Sequence, residues 1–488
     1  MTSPIIAGFY PDPSICRVGD TYYTAHSSFE YAPAMPIFRS TDLTSWDFVA
    51  NAMSHVGQLP EHAGDASTGI FAPTLRHHGG RFWLTTTNMN EIARGQLIMS
   101  ADDAAGPWSE PVFVSGTVGI DPDLSWDEHG TCHLTWKSFT PELQGIATVA
   151  VDPATGARLG EVHRLWNGTG LAAPEGPHLY RVGQWWYLLL AEGGTERGHC
   201  VTVARARTLE GPFEPAPHNP ILTHRSTAHP EQNVGHADLV DCGDGAWAAV
   251  YLGVRPRGQT PMFHVNGRET FLAGVDWVDG WPVIDDRRFI VAPADHSFDD
   301  DFADPTLDGR WVTPGRFPGR FARSGGGRVR LSADGGRGQL LTRVRDCTWT
   351  AEVTATPSDG VGRFLLRIDD AHWYALQFDQ RHVHAIATVG PLTTTFAEHA
   401  LSGAPVRLRI RAYEQAPRSA FDVGEPDTIE LSVAEGDREV LVLACLGGRY
   451  LSTEVAGGFT GRMVGVEVVR GTVSFSGFRY RSDTPVAQ

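Results

Sequence analysis

The chain has no apolar run approaching the length that spans a bilayer. Its first residues, Met1-Thr2-Ser3-Pro4-Ile5-Ile6, hold no basic segment followed by a long apolar core, the mark of a secretory signal. These absences predict a cytoplasmic protein without membrane contact. Cysteine is scarce. Cys16, Cys132, Cys200, Cys242, Cys347 and Cys445 lack the paired spacing of a zinc site or a disulfide framework. They are read as reduced, mostly buried thiols. Positive charge is in deficit: 40 Lys and Arg against 57 Asp and Glu give a net charge of −17. That argues against nucleic acid or an anionic membrane as partner and leaves neutral ligands such as sugars. No long amphipathic helix can be found. What is present is 41% hydrophobic and 10% aromatic residues in 488, a folded chain too long for one ordinary core.

A unit recurs five times. Each copy sets a small or polar residue at the head of a short apolar segment, then a glycine turn, then an aromatic-rich strand. The heads are Asp12, Ala72, Asp121, Glu175 and His236, at spacings of 49 to 61 residues. Each spacing holds four short strands with turns, which predicts a five-bladed β-propeller over residues 1–297. The inner strand of every blade lines the axis, so the five heads converge at one end of the channel. Three carboxylates and an imidazole around one pocket are costly to bury together, and such a cluster has a chemical role.

Glu175 organises this cluster. It lies in Ala173-Pro174-Glu175-Gly176-Pro177-His178, a stiffened turn before the continuous apolar run Gln184–Leu190. That is a fixed, partly desolvated position of the kind a general acid needs. Paired with Asp12, it suggests glycoside hydrolysis by two carboxylates, spaced roughly 6.5–9.5 Å apart if the reaction inverts.

From Phe298 the pattern changes. Val406-Arg407-Leu408-Arg409-Ile410-Arg411 alternates strictly, and Val473–Phe478 alternates too. One buried and one wet face, repeated to residue 488, predict an antiparallel β-sandwich over 298–488. The whole is therefore read as all-β.

The motifs Pro11-Asp12-Pro13-Ser14, Gly119-Ile120-Asp121-Pro122, Pro174-Glu175-Gly176-Pro177-His178, Ala191-Glu192-Gly193-Gly194-Thr195, Gly235-His236-Ala237-Asp238 and Gly267-Arg268-Glu269-Thr270 resemble glycoside hydrolase family 43. The resemblance implies a five-bladed propeller of inverting enzymes acting on pentosides. Members with a concanavalin-like sandwich are mostly β-xylosidases and α-L-arabinofuranosidases. It implies Asp12 as general base, Glu175 as general acid and Asp121 as the carboxylate that tunes and holds the acid. Arg268 matches an arginine that binds the terminal sugar. His236 matches a histidine under the pocket that contacts a calcium ion at the propeller axis or its waters; a hydrogen-bonded core histidine is the alternative. No cofactor is required for the reaction, and the expected partner is an oligosaccharide. Whether the chain forms a homo-oligomer stays open.

Sugar faces are apolar and need aromatic walls. Phe29 and Phe71 are the candidates in the propeller. Related xylosidases often carry Trp where Phe71 stands, which keeps arabinofuranose open beside xylose. Gly457-Gly458-Phe459-Thr460-Gly461 resembles a loop that reaches the active site, so Phe459 is expected to close the pocket, with a place in the sandwich core as alternative. Rival readings are a non-catalytic carbohydrate-binding propeller and an endo-arabinanase. A retaining fructan enzyme needs Asn-Asp-Pro and Glu-Cys settings that the sequence lacks.

Overall fold

A computed structural model describes residues 3–415, 424–436 and 438–483; Met1 and Thr2 of the segment read for a leader lie outside it. Five antiparallel sheets occupy the stretch from Ser14 to Asp285. Their first strands are β1 (Ser14–Val18), β2 (Thr74–His78), β3 (Gly119–Trp126), β4 (Glu175–Val182) and β5 (Gln232–Gly243). Consecutive members of this set touch, and β5 returns to β1, so the five close a ring around an axis. Four sheets have four strands and the third has five. The apolar run after Glu175 forms the strand Trp185–Glu192, buried along nearly its whole length as the second strand of its sheet. Both of its faces meet other layers, hence the unbroken hydrophobic pattern.

Prolines shape the heads of the first strands. Pro122 and Pro177 cannot donate to a ladder, and pairing skips over them, from Ile120 to Asp123 and from Glu175 to His178. In β5 it skips His236 and Ala237. In β1 it begins only after Asp12-Pro13. The skipped residues take left-handed backbone: φ is +54° at Asp12, +57° at Asp121, +55° at Gly176 and +47° at His236. For the non-glycine residues this costs roughly 1–2 kcal/mol each. Bulges of this kind re-aim side chains, here toward the axis. Gly176 has a further reason to lack a side chain, since a Cβ would stand 3.0 Å from His236 Nε2.

From Phe298 onward, an eight-stranded and a six-stranded sheet enclose one large apolar core that includes Trp311, Trp349, Phe364, Phe475 and Tyr480. The alternating segment is the strand Val406–Tyr413, whose apolar members are buried while Arg407 and Arg411 are exposed. The one α-helix among the described residues is the single turn Thr453–Ala456. No helix among them is long and apolar enough to cross a membrane.

The two halves are tied together. Thr313–Pro314 pairs with Tyr31–Ala32. Arg343 Nε donates to the Phe9 carbonyl at 2.7 Å and Arg345 Nε to the Ala7 carbonyl at 3.1 Å. All six cysteines are free, but only Cys16, Cys132 and Cys200 are buried. Cys445 is exposed, contrary to the expectation of mostly buried thiols, because it lies on an edge strand, Leu441–Gly447, with one face in solvent.

Candidate active site

Asp12, Asp121, Glu175, His236 and Arg268 come together at one end of the ring. Asp12 is 4% exposed and is held from three sides. Arg268 Nη1 donates to Oδ1 at 2.8 Å, Ser27 Oγ donates to Oδ2 at 2.5 Å, and His236 Nδ1 stands 3.6 Å from Oδ1. Burial by itself would raise the Asp12 pKa; the Arg268 guanidinium and the Ser27 hydrogen bond outweigh it and hold the carboxyl below its ordinary value. Asp12 is thus an anion at neutral pH.

Glu175, the first residue of β4, has the opposite setting. Burial, then the charge of Asp12, raise its pKa to about 7 against the pull of Arg268 and Lys137. Asp121 is also raised well above its ordinary value, by burial first, then by Glu175 and Asp12. Glu175 and Asp121 therefore titrate as a pair that retains a proton near neutrality. Asp12 is one charged neighbour that raises Glu175. Asp121, which titrates with Glu175, also holds the backbone, its Oδ2 accepting from Gly176 N at 3.2 Å. The imidazoles beneath are neutral: burial lowers His236 and His199 to about 4 and His26 to about 3.

The aromatic candidates cluster above Arg268. The Phe29 ring is 5.1 Å from Phe71 and 5.5 Å from Phe459. Phe29 is only 2% exposed and backs the other two, which are half-buried. Phe459 lies outside the sandwich core. Its N–H donates to Ser67 Oγ at 2.8 Å, and its carbonyl accepts from Arg268 Nη2 at 3.4 Å. The loop that carries it is clamped: Glu454 takes His264 Nδ1 at 2.7 Å, and Arg462 N–H donates to the Val265 carbonyl at 3.0 Å. Gly267 and Gly461 pass so closely that a Cβ on Gly461 would meet the Asn266 carbonyl oxygen at 2.4 Å. A cavity of about 980 Å³ opens beside the carboxylates, lined by Thr195, Gln232, Asn233, Arg268 and Phe459 among others.

Calcium takes six to eight oxygens. The one carboxylate on His236 is Asp12, already engaged by Arg268 and Ser27. Farther along the axis, Asp123 and Asp238 are bound by the buried guanidinium of Arg76 at 2.7 and 2.6 Å. These donors do not fit a calcium cage built from protein oxygens, and no step below is routed through a metal.

Several residues join the site that were not among the candidates. Thr195, in the motif Ala191-Glu192-Gly193-Gly194-Thr195, accepts from Arg268 at 3.2 Å. Lys137, the one lysine of the chain, is an electrostatic neighbour of Glu175 and Asp121. The axial set of Arg76, Asp123, Asp238, His178 and Tyr180 is a second layer under the heads. Period-two spacing from Asp121 and His236 leads to Asp123 and Asp238, so that layer had a signal in the sequence.

A pocket floor with an anionic carboxylate, a protonated partner and a guanidinium defines an enzyme that hydrolyses a polar bond by acid–base chemistry on a sugar-sized ligand. Residues 1–282 match the family of glycosyl hydrolases 43, and the chain belongs to that family. A xylosidase/arabinosidase of Butyrivibrio fibrisolvens is 43% identical over 58% of this chain and 56% of its own length. A non-reducing end α-L-arabinofuranosidase of Bacteroides ovatus is 34% identical over 95% of this chain and 90% of its own. The solved structure of a xylan β-1,4-xylosidase from Bacillus halodurans superposes with a TM-score of 0.87 at 28% identity, covering 99% of this chain and all of that one. The chain spans little more than half the length of the first of these relatives.

Proposed function

We propose that this glycoside hydrolase removes terminal β-D-xylose or α-L-arabinofuranose from the non-reducing ends of short oligosaccharides, with inversion at the anomeric carbon. Asp12 takes a proton from water as that water attacks the anomeric carbon. Glu175 gives its proton to the glycosidic oxygen as the bond to the leaving sugar breaks. Asp121 holds the Gly176 backbone and so the orientation of Glu175. Arg268 keeps Asp12 ionised and faces the terminal sugar. The observation that carries this reading is the opposite setting of two carboxyls at one pocket floor: Asp12 held by Arg268 and Ser27 and lowered, Glu175 buried and raised. Exo action rests on the clamped Phe459 loop, which covers one side of the site. The names of the relatives support pentose as the substrate class.

A panel of p-nitrophenyl β-D-xyloside, p-nitrophenyl α-L-arabinofuranoside, short oligosaccharides and linear arabinan tests it. Terminal pentose release from the small substrates, abolished in Glu175→Ala, is expected. Internal fragments from arabinan, or no cleavage of any pentoside, would defeat it.

A further inference from the structure

A second cluster, which the hydrolytic reaction does not use, reaches the cavity wall at His229. His224, His229 and Asp286 each present a ligand atom, and these atoms lie within 4.8 Å of one another. His224 is 5% exposed and Asp286 is half-buried just past the strand Trp281–Asp285. His229 also lines the cavity.

The outward nitrogens decide the chemistry. His224 Nδ1 lies 2.9 Å from the Glu231 carbonyl oxygen, which only accepts, so Nδ1 carries the proton. In the neutral ring His224 Nε2 is then a bare lone pair, and it faces Asp286 Oδ2 at 2.8 Å. Two acceptors at that distance repel unless a cation stands with them. His229 stands beside it. Its Nδ1 is 2.7 Å from Glu231 Oε2, outside hydrogen-bond alignment, and its Nε2 is 3.8 Å from the same Asp286 oxygen. The two rings are tilted by 34° with centroids 3.8 Å apart, so charging both with protons sets like charges in contact. One divalent ion satisfies the His224 lone pair, His229 Nε2 and the carboxylate together. Ligands around tetrahedral zinc are about 3.3 Å apart, given bonds of about 2.0–2.2 Å, and the distances of 2.8 and 3.8 Å bracket that value. Glu231 supplies outer support of the kind such sites use: its carbonyl orients His224, and its carboxylate stands 2.7 Å from His229 Nδ1.

We propose that His224 Nε2, His229 Nε2 and Asp286 bind one divalent first-row transition ion, of which zinc is the type, with Glu231 as the outer carboxylate. Two imidazoles and one carboxylate suit such ions and not calcium or magnesium. The ion fastens the 224–231 segment, which forms part of the cavity wall, to the chain beyond the fifth sheet.

The test is zinc chloride titrated calorimetrically into full-length protein first dialysed against chelator, with retained zinc measured after gel filtration. Wild type is expected to keep one equivalent. His224→Gln and Asp286→Asn should each weaken binding by more than about 10-fold, and Glu231→Gln by about 10–100-fold. Circular dichroism reports folding, and the half-exposed His229→Gln replaces any variant that does not fold. Added zinc should raise the Tm of wild type and leave that of Asp286→Asn unchanged. Failure of wild type to retain zinc, or equal retention by wild type and the ligand variants, overturns the proposal whatever the pentosidase assays give.

Discussion

Arg268 binds Asp12 at 2.8 Å while its guanidinium carbon lies 5.5 Å from the ring centre of Phe459. One side chain thus touches the anion proposed as base and the loop that the sandwich half sends over the propeller. Replacing Arg268 with Met removes the main influence holding Asp12 ionised. The acid limb of the kcat/KM profile should move to higher pH, because Asp12 then binds its proton more readily. Activity should fall by about 10²–10³-fold, the scale for a charge-positioning donor. An unmoved acid limb would show that Arg268 does not act through Asp12.

The alkaline limb reports the acid. Glu175 must be protonated to act and its pKa is raised to about 7, so kcat/KM should decline as pH rises through that value. Glu175→Gln should lose this limb and about 10²–10⁴-fold of activity on substrates with poor leaving groups. Lys137 pulls the Glu175 pKa down, so Lys137→Met should shift the limb upward. A downward shift would place Lys137's influence elsewhere.

Phe459 is half-buried against Phe29 and Phe71, with one side toward the cavity. Phe459→Ala should lose about 1 kcal/mol, several-fold in kcat/KM, on oligosaccharides and less on aryl pentosides. Equal losses on both substrate types would make the loop a purely structural brace.

Glu30 is fully buried, and one carboxyl oxygen, Oε1, has no hydrogen-bond partner. Burial raises its pKa from 4.5 to about 7. Because the folded pKa is the higher one, the folded state is favoured at low pH and loses stability as pH rises through 7. The loss amounts to about 3 kcal/mol when ionisation is complete. Glu30→Gln should therefore raise Tm at pH 8 relative to wild type, with the gain shrinking at pH 5. Thermal melts at the two pH values check this.

The heads of the inner strands were legible because each opens a short apolar segment that a glycine turn and an aromatic-rich strand follow; Asp12, Asp121, Glu175 and His236 converge as that register implies. Val406–Tyr413 was legible because one face is wet. Arg76 gave no signal, because a basic residue on an inner strand has the pattern of a surface residue. Thr195 closes a motif of the family resemblance, but no local pattern encodes its contact with Arg268; Lys137 joins the site with no local signal at all. Asp286 lies 57 residues beyond His229, so no short motif links them. Cys445 misled because free cysteine is a buried residue type on average and its strand happens to be an edge.

The anomer first released from substrate, followed by proton NMR before mutarotation, tests the pairing of Asp12 as base with Glu175 as acid most directly. Water entering opposite the leaving group gives α-D-xylose from a β-xyloside and the β-anomer from an α-L-arabinofuranoside, and the account predicts these products. Initial release of the anomer with retained configuration would mean that a carboxylate attacks the sugar itself, and would contradict it.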